Sequence, residues 1–245
     1  MTSIVVRSAN QRQPPQYASL GDTVNVTATV TDAETPVSQL TYEWSSSVGG
    51  TFSGSGASVT WTAPAAAGTP ANAILTLAVI ERFGTSQTNR VTATSTVDLH
   101  NSPKEVGDLA WQFLEDFSRQ LPVDTVMRNF TDACPGTASE RQDVLNQQND
   151  VTVINSDIGV AVTTVPFNGT CPFIDRNPVG DACSQIPVRW QSRIKRTGQI
   201  SISSGVDQVT AVFEPGSPGR WRLCASDYHQ QFSSGANLLR YWIQH

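Results

Sequence analysis

The chain has 245 residues, enough for two domains with separate hydrophobic cores or for one large β domain. Charged residues make up 15% of it, against roughly 25% in an average soluble protein, and its net charge is −5. These values argue against the strongly basic face of a nucleic-acid-binding protein, and no run approaches the roughly 18 apolar residues of a membrane span.

The composition predicts an exported protein. Ser, Thr, Gly, Asn and Gln replace the missing charged residues, as they often do on extracellular β-rich surfaces. The first six residues, MTSIVV, enter strand-like sequence at once and lack the basic and apolar regions of a signal peptide. We therefore expect a secreted, periplasmic or cell-surface protein, with Met1 standing where a signal or lipoprotein leader was removed.

Residues 4–100 alternate between apolar and polar side chains. Val24, Val26, Ala28 and Val30 would lie on one side of a strand, with polar residues on the other. The alternation recurs over 40–44, 59–61, 75–79 and 91–97, and glycine-rich turns separate these segments. Several short strands without a helical period predict an all-β sandwich over residues 1–101.

Three segments of this region carry a resemblance to a known family. They are LTYEW at 40–44, GGTF at 49–52 and VTWTAP at 59–64. They resemble the polycystic-kidney-disease-type (PKD-like) and related bacterial immunoglobulin-like domains, and this implies an extracellular spacer or adhesion module. Ser45-Ser46-Ser47 replaces the Asp-Phe-Gly-Asp-Gly turn of that family, and no cysteine precedes Cys134 to form an antibody-type pair. The sandwich prediction survives these departures, whereas assignment to one exact family does not.

The pattern changes after a predicted hinge at residues 101–103. Apolar residues at three- and four-residue steps predict an amphipathic helix over 104–121, which Pro122 ends. A short helix carrying Val123 to Phe130 and a third near 138–148 follow. The alternation then returns, and it predicts strands at 151–155, 158–166, 186–196, 199–203, 207–214 and 219–227.

This element order predicts a second domain over 104–245, of the α+β class, with helices first and a curved antiparallel sheet afterwards. The order is similar to the cone-shaped folds of the nuclear transport factor two-like superfamily. In that superfamily, helices close one end of a curved sheet around a pocket, so the likeness implies a pocket here.

All four cysteines lie in the second half, and four cysteines allow three pairings. The segment from Cys171 to Cys183 is rich in Pro and Gly, so we predict that a disulfide closes it as a loop. Cys134 and Cys224 form the remaining predicted pair, and disulfides imply an oxidising compartment. Zinc ligation and free thiols are the alternatives.

The sequence contains few residues in patterns that indicate catalysis or metal binding. Serine-hydrolase, phosphate-loop, dinucleotide and His-Glu-x-x-His motifs are absent, so we assign no catalytic residue, metal or cofactor. The best acid/base group is Asp227, Tyr228 and His229, although a solvated strand end is the favoured interpretation. Asp32 and Glu34 form an acidic turn that resembles calcium-binding turns, but two carboxylates are too few for the six to eight ligands that calcium takes.

Two further features could involve partners or modification. The strand at 186–196 places Val188, Trp190 and Ile194 inside, and a basic cluster of Arg189, Arg193, Lys195 and Arg196 lies along it. The cluster could dock an acidic glycan, a phosphate or a protein partner, or it could be a solvated face balanced by nearby acidic residues. Asn25, Asn129 and Asn168 begin Asn-x-Ser/Thr glycosylation acceptor sequences.

Three functions fit these features. The first is a non-enzymatic cell-surface binding protein, in which the sandwich is a spacer and the α+β domain recognises a protein or glycan. The second is a structural subunit of an extracellular filament or surface layer, self-associating through an edge strand at Ser3–Arg7. The third is an enzyme with a pocket in the C-terminal domain.

Overall fold

The computed structural model describes residues 3–83, 87–168, 180–216 and 218–230. Within those ranges the chain is mostly β, with three α-helices: α1 (Ser102–Ser118), α2 (Val123–Val126) and α3 (Thr137–Asp150). The strands are β1 (Ser3–Arg7), β2 (Tyr17–Ser19), β3 (Thr23–Thr29), β4 (Thr41–Ser46), β5 (Thr51–Ser53), β6 (Ser58–Thr62), β7 (Ala71–Phe83), β8 (Gln87–His100), β9 (Val151–Ile158), β10 (Val162–Thr164), β11 (Ala182–Ile194), β12 (Ile200–Glu214) and β13 (Arg220–Gln230).

The chain divides into two compact units. The first contains the residues up to Ser102 together with Glu214–Arg220, and the second contains Pro103–Phe213 and the residues from Trp221 onward. The second domain predicted from the sequence includes Glu214–Arg220. This short segment belongs to the first unit, where the backbone N–H of Gly219 donates to a carboxylate oxygen of Asp98 at 2.7 Å.

The first unit consists of two four-stranded sheets, ordered β1-β3-β6-β5 and β2-β8-β7-β4. Apolar residues from both sheets form one buried core, because alternate side chains of each strand point between the sheets. Trp61 lies fully buried in it, and its indole N–H donates to the carbonyl oxygen of Gly49 at 3.2 Å. Gly50 has φ +89°, and a Cβ there would lie 2.4 Å from the carbonyl oxygen of Thr62, so only glycine fits this turn.

The second unit contains an antiparallel sheet ordered β10-β11-β12-β13, with β9 also paired to β11. We call the face that carries Trp190 the inner face, because the Trp190 ring packs edge-on against Phe117 of α1, with centroids 5.8 Å apart. Helix α1 also passes close to the chain near β10, where a Cβ on Gly107 would lie 3.1 Å from the Cβ of Ala161. The inner face is therefore the helix-covered face of the sheet.

Several element boundaries differ from the prediction, and two of the differences have a clear cause in the backbone. The strands expected at 199–203 and 207–214 are one continuous strand, because Ser203, Ser204 and Gly205 all pair with β11. Helix α1 ends at Ser118 rather than residue 121, because Gln120 takes a left-handed conformation with φ +57°.

One predicted disulfide is confirmed. Cys134 and Cys224 are bonded, and the bond joins the segment that precedes α3 to β13. Cys183 is buried near the start of β11, but Cys171 lies outside the described residues, so the Cys171–Cys183 pair stays a prediction. Within the described part of the chain, every helix is too short or too polar to cross a membrane.

The double variant Cys134→Ala/Cys224→Ala should unfold more easily than the native chain. The bonded residues are 90 positions apart, and releasing a loop of that size increases the entropy of the unfolded state. We expect the free energy of unfolding of the second unit to fall by about 4 kcal/mol, measured by urea denaturation followed by circular dichroism. A loss below about 1 kcal/mol would contradict this role for the bond.

Candidate functional site

Two carboxyl groups and a serine meet on the inner face of the second unit. Asp207 of β12 lies on this face because it pairs with Ile186 of β11, and it is only 5% exposed. The Ser226 hydroxyl of β13 donates to Asp207 Oδ1 at 2.8 Å. The backbone N–H of Ser226 donates to Oε2 of Glu140, on α3, at 3.0 Å. Ser226 therefore links two acidic side chains from different elements, and we call Glu140, Asp207 and Ser226 the acidic cluster.

The acidic cluster holds one of its carboxyl groups neutral. The pKa of Glu140 is raised from its ordinary value of 4.5 to about 8, and burial is the largest cause. The N–H of Ser226 partly opposes this rise, and the charges of Asp207, Asp143 and Asp227 contribute to it. Glu140 is therefore mostly protonated at neutral pH, so its carboxyl group can donate a hydrogen bond as well as accept one.

Tyr228 lies within electrostatic reach of the acidic cluster. Burial raises the pKa of its phenol, the hydroxyl of Ser203 lowers it, and the charge of Asp207 raises it. Ser203 pairs with Trp190, which places the tyrosine on the helix-covered face. The inner face therefore carries a neutral carboxyl group, a buried aspartate and a phenol within electrostatic reach of one another.

The acid/base group predicted from sequence is only partly described. Tyr228 interacts electrostatically with Asp207, and Asp227 interacts with Glu140. The side chain of His229 lies outside the described residues. Glu140 and Asp207 were not predicted. The sequence did contain one clue to this site. Asp207 is a charged residue at an inward position of its strand, between the inward positions of Gly205 and Val209.

The four basic residues of β11 and its following turn do not form one cluster. Arg189 and Arg193 are exposed on the outer face, opposite the helices, as their pairing with Ser204 and Ile200 requires. Lys195 instead faces the end of α3, where its Nζ donates to the carbonyl oxygen of Gln148 at 2.5 Å. Arg196 is exposed in the turn before β12.

Apolar side chains lie beside the two outer-face arginines. Ile200 and Ile202 are 48% and 56% exposed, and they pair with Arg193 and Gln191. On the other side of β11, Asp157 pairs with Arg189. We call Arg189, Arg193, Ile200 and Ile202 the outer patch.

In the acidic turn of the first unit, the Asp32 carboxylate is hydrogen-bonded to the backbone of the turn itself. Oδ1 of Asp32 accepts hydrogen bonds from the backbone N–H groups of Glu34, at 2.9 Å, and Thr35, at 2.7 Å. These bonds lower the pKa of Asp32. Glu34 is exposed, and no group of three His, Cys, Asp or Glu side chains suited to a metal occurs in the described ranges.

Strand β1 (Ser3–Arg7) lies at a sheet edge, and backbone groups on its side away from β3 are already hydrogen-bonded. The side-chain oxygen of Gln16 accepts from the N–H of Val6 at 2.6 Å, and its side-chain nitrogen donates to the carbonyl oxygen of Ile4 at 3.3 Å. The backbone N–H of Gln16 donates to the carbonyl oxygen of Val6 at 3.0 Å. Because Gln16 uses these groups, they are not available to a neighbouring strand.

Comparisons of this chain with protein-family models, with curated proteins and with solved structures found no match.

Glu140→Gln should stabilise the second unit at pH 8 and leave it almost unchanged at pH 4. The folded pKa of Glu140 lies above the ordinary value, so its contribution is full below about 4.5 and is lost as pH rises through about 8. Glutamine accepts from Ser226 but never ionises. We expect a gain of at least about 1.4 kcal/mol at pH 8, the value of one pKa unit, measured by urea denaturation.

Asp150→Asn is the matched control for this prediction, since Asp150 is exposed at the end of the same helix, and its substitution removes one carboxylate charge that is not among the causes of the raised pKa of Glu140. It should change stability by less than about 0.5 kcal/mol at either pH. An equal pH dependence of wild type and Glu140→Gln would show that Glu140 is ionised in the folded chain.

Proposed function

We propose that this chain is a non-enzymatic binding protein of the cell surface or another extracytoplasmic compartment. The first unit serves as an immunoglobulin-like spacer, and the second is an α+β recognition domain. The observation that carries the proposal is the outer patch, where Arg189 and Arg193 lie beside the exposed Ile200 and Ile202 on one sheet face.

The composition of the outer patch is that of a partner-binding surface. Arginine is enriched at protein interfaces, and adjacent exposed apolar side chains such as Ile200 and Ile202 can mark an interaction site when they form a contiguous patch. Arginine is always charged and binds carboxylate, sulfate and phosphate groups through two parallel hydrogen bonds. A patch with two arginines on a chain of net charge −5 favours an acidic partner, either a protein or a glycan.

The fold supports the roles given to the two units. Two sheets around one core, with Tyr42 and Trp44 on β4, are consistent with the resemblance to PKD-like domains. Helices against one face of an antiparallel sheet are consistent with the cone-shaped folds of the nuclear transport factor two-like superfamily. The Cys134–Cys224 disulfide supports an oxidising compartment, as expected for a secreted, periplasmic or lipid-anchored surface protein.

The acidic cluster favours a second candidate function. A protonated Glu140 near Asp207 resembles the paired carboxyl groups that enzymes use for general acid–base catalysis. In that case the second unit would be an enzyme acting on a small molecule at its inner face. The two candidates use opposite faces of one sheet, so variants on each face separate them.

The binding proposal is tested with immobilised heparin as a polyanionic probe. Arg189→Glu/Arg193→Glu should bind about tenfold more weakly, or about 1.4 kcal/mol, because both charges act on the same encounter. Arg7→Glu/Arg82→Glu makes the same charge change on exposed residues of the first unit and is the matched control.

Glu140→Gln should leave heparin binding unchanged. If both arginine double variants lost heparin affinity equally, net charge alone would explain the effect. Failure of the wild-type chain to bind heparin, or an unchanged affinity of Arg189→Glu/Arg193→Glu, would overturn the anionic-partner proposal.

A further inference from the structure

Between Thr88 and Thr94, strand β8 has one edge that is paired with no described strand, although β8 also contacts β1 at Ser95, whose hydroxyl donates to the carbonyl oxygen of Ile4 at 3.2 Å. Strand β8 pairs with β7 along its length, from Gln87 to Leu99, whereas β2 covers only Asp98 to His100. Residues 87–92 are exposed on both faces of the strand. We call the segment Thr88–Thr94, on the side away from β7, the open edge.

The hydrogen-bonding groups of the open edge follow from the register. The N–H of Asp98 donates at 2.7 Å to the carbonyl oxygen of Gln16, on the side away from β7. The pairing with β7 continues without a shift to Gln87. Because residues of an antiparallel strand alternate in the side to which they direct both backbone groups, the even-numbered residues also point away from β7. These are Thr88, Arg90, Thr92 and Thr94.

Apart from the charged Arg90, the open edge has none of the features that usually protect a strand edge, which are charged side chains, proline, a bulge or a short length. Residues 87–94 contain neither Lys nor Pro, and their pairing with β7 is unbroken. The one charged side chain, Arg90, is paired with Glu43 of β4 at 2.7 Å. By contrast, β1 is blocked by Gln16, and β2 and β5 have three residues each.

We propose that the open edge pairs with the open edge of a second copy of this chain, in antiparallel orientation about a two-fold axis at Val91. In this register Arg90 pairs with Thr92 of the second copy, and Thr88 pairs with Thr94. All four are residues whose backbone groups point outward, so about eight main-chain hydrogen bonds form. The proposal concerns the first unit and does not depend on the outer patch.

Self-pairing fits the side chains of the open edge. Arg90 never lies opposite its own copy, so the axis at Val91 avoids the repulsion of like charges. Val91 is 49% exposed and meets Val91 of the second copy at a non-hydrogen-bonded position, where side chains approach most closely. Threonine and valine are also favoured in strands.

The association is tested by sedimentation equilibrium and by light scattering on the full chain. Val91→Lys places two ammonium groups opposite each other, and the dissociation constant of the dimer should rise at least about tenfold. Ile74→Lys is the matched control, because Ile74 is 44% exposed on β7, inside the same sheet. It should dimerise like the wild type.

Cysteine cross-linking tests the register independently. Val91→Cys should form a disulfide-linked dimer on mild oxidation, because the two Cα atoms would lie within disulfide range. Asn89→Cys is on the same face of the strand, but its two copies would lie roughly 13 Å apart and should not cross-link. Circular dichroism checks that each variant is folded.

Three results would overturn the proposal. They are a wild-type chain that stays monomeric up to about 1 mM, a Val91→Lys variant that dimerises as well as Ile74→Lys, and cross-linking of Asn89→Cys as fast as that of Val91→Cys.

Discussion

The pairing register of β11 with β12 decides what each face of the second unit can do. It runs unbroken from Ala182 opposite Ala211 to Arg193 opposite Ile200. Because strand side chains alternate, a slip of β12 by one residue would move its inward side chains to the outer face. Asp207 would then turn to solvent, and Ile200 and Ile202 would leave the face that carries Arg189 and Arg193. Packing of the inner apolar residues therefore also positions the residues of both proposed functions.

Placing Asp207 on the inner face has an electrostatic consequence. A second ionised carboxylate near it in a partly dehydrated environment would add repulsion to the cost of burial. The chain avoids this by leaving Glu140 protonated, while Ser226 donates one hydrogen bond to each acid. The same arrangement serves a structural link between α3 and the sheet or a proton donor at a pocket. Access of a ligand to the inner face decides between these two roles.

Local patterns were enough to predict much of the fold. Apolar alternation located the strands of the first unit, and three- and four-residue spacing located α1. The acidic cluster could not be predicted in this way, because Glu140 lies on a polar helix and meets Ser226 across 86 positions. Gln16 likewise blocks β1 through a side chain from a loop. Such contacts depend on tertiary packing, and neither propensity nor periodicity encodes them.

In the first unit, the edges of β1 and β8 differ in how their outward backbone groups are used. Gln16, with φ +58°, bonds the backbone N–H and carbonyl oxygen of Val6 and the carbonyl oxygen of Ile4. No described residue does the same along the open edge of β8. A contact between identical edges about a two-fold axis closes on itself, whereas a contact between two different edges would propagate into a filament. The Arg90–Glu43 ion pair spans β7 on the outer sheet face, so it can persist when the open edge is paired. With the open edges paired as proposed, the first unit would form a closed dimer and not an open filament.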